Sequence, residues 1–458
     1  MRVNHSVAAG FDDPNLISCA GLVPVLALAE RAKLHDLVDE HVRVPGSVGS
    51  NPAAKIAALI AGMVAGAHTF EAMDLLRHGG MGRLFSAGRA PSTLGTFLRA
   101  FLFGHVRQLD AVASRFLVNL VRITPLLADV DEVAYLDIDD TIKATYGYQK
   151  QGAGYGYSGV KGLNALLAIV STPTAAPVIV ATRLRKGSTN SPRGASRLIA
   201  DALVTARKAG ATGVITLRTD SAYYGHSVVA TARRGGARFS ITARMDPAVT
   251  RAITEIREDE WVPIKYRQAI FDEEERRWIS DAEVAEIPLT AFTSHKKSEH
   301  VSARLIVRRV KRLNPKTVPA GQGELFATWR HHAVFTDSEE SMLAAEATHR
   351  DHAIVEKVIA DMKSGALARF PSGQINANAA WLVLAAIAFN LTRAAGTLAS
   401  RFHAKAATET IRAQLISVPA RIARSARRTR IHMPRHWPWE QAWQAMSAGA
   451  CGPPASAT

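Results

Sequence analysis

VAYLDIDDT, residues 133–141, is the stretch on which the fold turns. Its short apolar and aromatic run reads as a β-strand that closes on three acids. Strand alternation puts Leu136 and Ile138 on one face, with Asp137 and Asp139 on the other. A carboxylate in a central, otherwise apolar strand is costly unless it is paired or binds metal. Asp139, the acid nearest the strand end on its face, is therefore the first candidate functional residue, and Asp137 and Asp140 are its rivals, with capping or supporting roles open to them.

Outward from this strand the same texture continues. NALLAIVS from Asn164 and PVIVATRL from Pro177 are two more strand-like runs between glycine-rich or polar turns. A helical pattern from Arg193 to Lys208 carries Leu198, Ile199, Leu203 and Val204 on one side, and GVITLRTD from Gly213 is again a buried strand. A helix and the strand ARFSITAR from Ala237 follow. Three strands, a helix and a strand is the opening order of a ribonuclease H-like fold. The expectation is an α/β protein whose mixed five-stranded core occupies residues 131–245.

Residues 1–130 read as helical, with Ile56, Leu59, Ile60, Met63 and Val64 on one buried face. Within this region RAPSTLGTFLRAF, from Arg89, breaks at Pro91, offers Ser92 as an N-cap, and runs into Leu94, Phe97, Leu98 and Phe101. That helix is either a recognition helix or an ordinary bundle helix. Residues 246–340 mix charged runs such as FDEEERRW with the strand-like ARLIVRRVKR and LFATWRHHAVF, and are expected to form a mainly β insertion. Helical periodicity returns over 341–400, and 401–458 form a basic C-terminal region.

Composition narrows the function classes. Hydrophobic residues make up 47% and charged residues 21% of 458, as in a folded globular protein. The net charge of +16 favours a polyanionic partner, and Arg421, Arg424, Arg427, Arg428, Arg430 and Arg435 concentrate it near the C-terminus. Cys19 and Cys451 fit neither a disulfide framework nor a zinc-binding spacing, as expected in a reducing cytosol. The opening MRVNHSVAAGFDDPN has acids where a signal peptide needs a basic and then apolar run, so secretion is not expected. The apolar run Ala379 to Phe389 is shorter than the ~18 residues that span a bilayer, and reads as a buried helix.

Phosphodiester chemistry with two metal ions requires carboxylates that converge in space. Asp220, closing the strand VITLRTD, is a second candidate, although an Asp at a strand end is often a helix cap. On a downstream helix His349, His352, Glu356 and Lys363 share one side, with Glu346 and Asp361 as further acids. Such a stripe is by itself most simply a solvated face.

At these positions the chain resembles the DDE transposases of bacterial insertion sequences, insertion-sequence family thirteen-eighty, also described as transposase DDE domain group 1. LDIDDT matches that family's Leu-Asp-x-Asp-x-Thr, LRKGSTNSPRGA resembles its Leu-Arg-x-Gly loop, and LRTDSAYYG its Leu-Arg-x-Asp-Ser-aromatic block. IVEKVIADMK resembles the helix bearing its last acid, and NANAAWLVLAAIAFNLTRA the apolar helix beyond. The resemblance implies that Asp139, Asp220 and Glu356 are catalytic and hold two Mg²⁺ ions, with Mn²⁺ able to substitute. The intervals are 81 residues (220 minus 139) and 136 residues (356 minus 220).

It further implies cut-and-paste transposition on double-stranded DNA, at inverted-repeat ends and target, by a bacterial cytoplasmic, nucleoid-associated protein that pairs ends as a homodimer and needs no membrane. Phosphate contacts are expected from Arg183, Arg185, Lys186, Arg350, Lys363, Arg424, Arg427 and Arg428. Some related cut-and-paste transposases hold a flipped base with a tryptophan of the β insert; Trp278, Trp329 and Trp261 are candidates, each more simply a core residue. Two departures stand out: His349-Arg350 where relatives have Tyr and Arg, and the loop QKQGAGYGYSG. The alternatives are an inactive DNA-binding derivative of a transposase and another ribonuclease H-like nuclease.

Overall fold

Apolar residues at helical spacing fold the first part of the chain into helices. In the computed structural model, which describes residues 7–86, 88–146, 149–272, 277–311, 329–425 and 428–452, a short strand β1 (Leu16–Ile17) precedes α1 (Leu22–Arg31), α2 (Leu34–His41), α3 (Pro52–Val64), α4 (Met81–Leu84), α5 (Pro91–Arg99) and α6 (Phe103–Ile123). Pro52 and Pro91 each open a helix, where the missing N–H would have had no partner. Ser92 is therefore not the N-cap of α5: the helix starts one residue earlier, at Pro91, and Ala90 holds the cap position.

The sheet starts with β2 (Val133–Ala144). β3 (Gly154–Tyr155), β4 (Lys161–Ser171) and β5 (Val178–Lys186) follow, with β4 antiparallel to β2 and β5 antiparallel to β4. After α7 (Ala195–Lys208), β6 (Val214–Thr219) returns parallel to β2 on its other side. After α8 (His226–Arg234), β7 (Arg238–Thr242) joins parallel to β6. These five longer strands thus lie in the order β5-β4-β2-β6-β7.

Residues 246–340 are mainly β but do not fold apart from this sheet. After α9 (Pro247–Thr254), the strands β8 (Val262–Asp272), β9 (Arg277–Ala291), β10 (Val301–Lys311) and β11 (Trp329–Thr336) form an antiparallel run. β11 pairs with β7, so the sheet is ten-stranded rather than five-stranded. The physical reason is edge satisfaction: β7 would otherwise leave unpaired N–H and C=O groups along its free side.

The chain then returns as α10 (Met342–Arg350), α11 (Ile354–Ser364), α12 (Ile375–Ala399), α13 (Arg401–Lys405), α14 (Thr408–Ile411), the hairpin β12 (Ala420–Ser425) and β13 (Arg428–His432), and α15 (Glu440–Cys451). The buried helix anticipated at 379–389 is 25 residues long as α12. By length and composition it could cross a membrane, but it is almost wholly buried inside the protein, against α3, α6, α15 and β5. Its Asn390 takes the Ile179 N–H at 2.8 Å and donates to the Ile179 carbonyl at 2.7 Å, so a helix side chain completes the edge of β5. One apolar core runs from Ile17 through α12 to Ala450, and the N-terminal helices share it.

Candidate active site

Sheet register brings the two strand acids together. In the parallel pair β2–β6, Asp137 lies opposite Arg218 and Ile138 opposite Thr219. One step further along both strands come Asp139 and Asp220, so their 81-residue interval is the register offset itself. β6 stops at Thr219, and Asp220 caps the turn Ser221–Tyr223, accepting the Ala222 N–H at 3.0 Å. β2 does not stop. It continues against β4 to Ala144, so Asp139 sits where its strand loses one neighbour rather than at the strand end. A crevice at such a divergence of strands is where open sheets bind ligands.

Burial pushes the Asp139 carboxyl up to about 7, and the nearby Asp220 and Asp140 add to the effect against the opposing Asp140 N–H bond of 2.7 Å. Asp220 is likewise raised, by burial first and by Asp140. Carboxylates that crowd in this way repel one another until a cation joins them, and hard oxygen ligands suit Mg²⁺ or Mn²⁺.

The rival acids are committed to the scaffold. Asp137 is fully buried and takes two 2.7 Å bonds from Arg218 and a 2.9 Å contact with His352 Nδ1. Arg218 also donates to the Thr348 carbonyl at 2.7 Å and lies 4.2 Å over the Tyr135 ring, which ties β2 and β6 to the α10–α11 junction. Asp140 accepts bonds from Arg185 at 2.8 Å, from the Tyr223 hydroxyl at 2.8 Å, and from Asn164.

His352, in the turn Asp351–Ala353, and Lys363, on α11, both interact electrostatically with Asp139. Glu356 lies on α11 seven residues before Lys363, hence on the same face of that helix. It is exposed, and among the described residues it forms no hydrogen bond or ion pair. Glu346, by contrast, is buried between Arg308 at 2.6 Å and Arg350 at 2.9 Å, and Asp361 caps α14 through the Thr408 N–H and hydroxyl.

His349 leaves the side expected of it. The turn Asp351–Ala353 interrupts the helix and changes its register, and His349 is buried between Ser240 Oγ and Thr242 Oγ1 of β7, each at 2.9 Å. Burial first, and then nearby His352 and Arg218, hold its pKa down at about 3, so it is neutral.

The basic residues divide. Arg185 is buried, and its guanidinium is taken up by Asp140, Asn164 and the carbonyls of Ser191 and Arg193. Arg183 pairs with Asp201 at 3.2 Å and Arg350 with Glu346. Lys186 and Arg424 are exposed, and Lys363 is half-buried. Arg427 and the side chain of Arg428 lie outside the described residues. Of the tryptophans, Trp261 and Trp329 stack on Arg309 at 4.3 and 4.5 Å, and Arg309 is itself bound to Glu258 and Glu283, so both have protein partners; the Trp278 side chain lies outside the described residues.

Three features escaped the sequence reading. Gly187 of LRKG packs so tightly on β4 and the glycine-tyrosine loop that a Cβ there would lie 2.0 Å from the Gly162 carbonyl oxygen of β4 and 2.4 Å from that of Gly154 in the loop. Beside this contact Tyr146, Tyr155 and Tyr157 stand exposed; the tyrosine density of QKQGAGYGYSG was the available signal. In the N-terminal helices, a cleft of about 510 Å³ is lined by Lys55, Arg89 and the hydroxyls of Ser47, Ser50, Ser92, Thr93 and Thr96, with no acid in its lining. Nothing in the local sequence joins positions 47–55 to 89–96.

The family model described as transposase DDE domain group 1 matches residues 1–448. No curated protein matches the chain.

Proposed function

Because the chain belongs to the transposase DDE domain group 1 family, we propose that it is a DNA transposase that cuts the inverted-repeat ends of an insertion sequence and joins them to target DNA. Asp139, Asp220 and Glu356 are its metal ligands in this reading. The observation that carries it is the β2–β6 register, which aligns two half-buried acids whose pKa values are both raised and neither of which has an ion-pair partner among the described residues. The order β5-β4-β2-β6-β7, antiparallel and then parallel about β2, supports a ribonuclease H-like core.

Two Mg²⁺ ions, or Mn²⁺ in their place, would supply Lewis acidity to the phosphodiester and lower the pKa of an attacking hydroxyl. Asp139 offers an oxygen from β2 and Asp220 from the end of the adjacent β6, and Glu356 would offer a third carboxylate from α11. Asp137, Arg218 and His352 hold strands and helix in mutual position. Arg185 acts through Asp140 rather than on DNA. Lys186, Lys363, Arg350, Arg183 and the arginines 424, 427 and 428 remain the phosphate contacts, joined by Arg89 of the polar cleft. Pairing of two ends implies a homodimer at the moment of cleavage.

The test is a cleavage assay with the full chain, Mg²⁺ and duplexes carrying the element's ends. Wild type yields products with a free 3′-OH. Asp139→Asn and Asp220→Asn bind the ends without cutting them, and cutting by either variant contradicts the assignment. A wild type that binds ends but never nicks them favours an inactive derivative instead.

A further inference from the structure

We infer that His226, His295 and Glu299 form a second, nitrogen-rich metal site of the Zn²⁺ class, which fastens the β9–β10 loop to the start of α8. His226 is the first residue of α8, while His295 and Glu299 lie on the loop between β9 and β10. One ligand atom from each lies within 4.8 Å of the other two. His295 Nδ1 is 2.9 Å from Glu299 Oε2, and the imidazole centroids of His226 and His295 are 6.0 Å apart at a 56° tilt. Two imidazoles bound to one ion at the usual Zn–N length of about 2.0–2.1 Å keep their centroids roughly 5–6 Å apart. Only a small inward movement separates the present arrangement from a coordination shell.

The donor set selects the ion. Two imidazole nitrogens and one carboxylate, with a fourth position left for water, suit tetrahedral Zn²⁺, whereas Mg²⁺ and Ca²⁺ favour oxygen ligands throughout. The loop is also held in place before any ion arrives. Phe292, at its start, has φ +62°, a left-handed conformation that bulky side chains rarely adopt. Its ring packs 5.2 Å from Tyr224 and 6.1 Å from both His226 and His295, and the His300 Nε2 lies 3.1 Å from the His295 carbonyl. His226 follows Asp220 by six residues, so the ion clamps the inserted strands to the segment that carries this acid. The site does not depend on the transposase reading.

The test uses the full chain, stripped with a chelator, dialysed and titrated with Zn²⁺ alone. The expected result is one Zn²⁺ retained per chain in Asp139→Asn/Asp220→Asn, a variant that keeps this cluster intact. Co²⁺ in its place should give the visible absorption of a tetrahedral site. Adding His226→Ala and His295→Ala should weaken retention more than about 100-fold. Should that variant misfold, Glu299→Gln, checked by circular dichroism, should weaken it at least about tenfold. If Asp139→Asn/Asp220→Asn takes up no Zn²⁺, or the folded cluster variants bind as it does, the three residues are only a hydrogen-bonded surface group and the inference is overturned.

Discussion

The two halves of the sheet treat carboxylates in opposite ways. On β9 and the segments packed beside β8–β11, acids meet arginines: Glu283 and, from the turn before β8, Glu258 close on Arg309, Glu286 on Arg304, and Glu346 of α10 on Arg308. At the β2–β6 junction Asp139 and Asp220 stand side by side, and among the described residues no arginine or lysine forms an ion pair with either. The contrast recurs within one strand, since Asp137 has Arg218 while Asp139, two residues on, has no such partner. Acids by themselves do not mark a site in this chain. Two acids held side by side without a direct ion pair do.

The sharpest break of that contrast is to remove the crowded acids. Asp139→Asn or Asp220→Asn should lower end cleavage by about three orders of magnitude or more, with end binding kept in a gel-shift assay. Glu356→Gln should follow them, whereas Glu346→Gln should instead destabilise the protein, because it weakens a buried partner of Arg308 and Arg350. A fully active Glu356→Gln enzyme would remove that residue from the ligand set.

On the paired side, Arg218→Met should cost roughly 3–5 kcal/mol in denaturant unfolding, since it strands the buried Asp137 carboxylate. Arg218→Met/Asp137→Leu should recover much of the loss. A smaller effect separates the two classes by pH. The Asp139 pKa of about 7 in the folded chain exceeds its unfolded value near 4, so the folded state binds the extra proton between them. The stability this group contributes is therefore present below pH ~4 and is lost as pH rises through 7. Asp139→Asn should then raise the metal-free thermal midpoint at pH 8, by on the order of 1–2 °C; an unchanged or lower midpoint contradicts a strained carboxylate at this position, whose strain comes first from burial and then from Asp220 and Asp140. The smallest effect is that of Lys186→Ala, which should weaken DNA binding evenly across sequences and reduce the salt slope by about one.

Much of this was legible in the sequence. The strand runs from Val133, Asn164, Pro177, Gly213 and Ala237 are all strands, because period-2 burial and turn residues are local signals. Asp139 stood out because an acid in an apolar strand violates the local pattern, whereas Asp220, at a strand end, read equally as a helix cap and gained weight only from its partner acids. What stayed hidden depends on register and long-range pairing: that 81 residues equals the β2–β6 offset, that Arg185 serves Asp140, that β11 continues the sheet at β7, and that His349 turns away at the Asp351–Ala353 break. The His226, His295 and Glu299 cluster was hidden for the same reason, since its members come from distant segments with no motif spacing.

The central claim is that Asp139 and Asp220 are crowded in order to share a cation. Anomalous diffraction from crystals soaked in Mn²⁺ tests it directly. The account predicts manganese within about 2.0–2.6 Å of a carboxylate oxygen of each residue, and its loss in Asp139→Asn. A crevice that takes up no manganese, or takes it up equally in that variant, would contradict it.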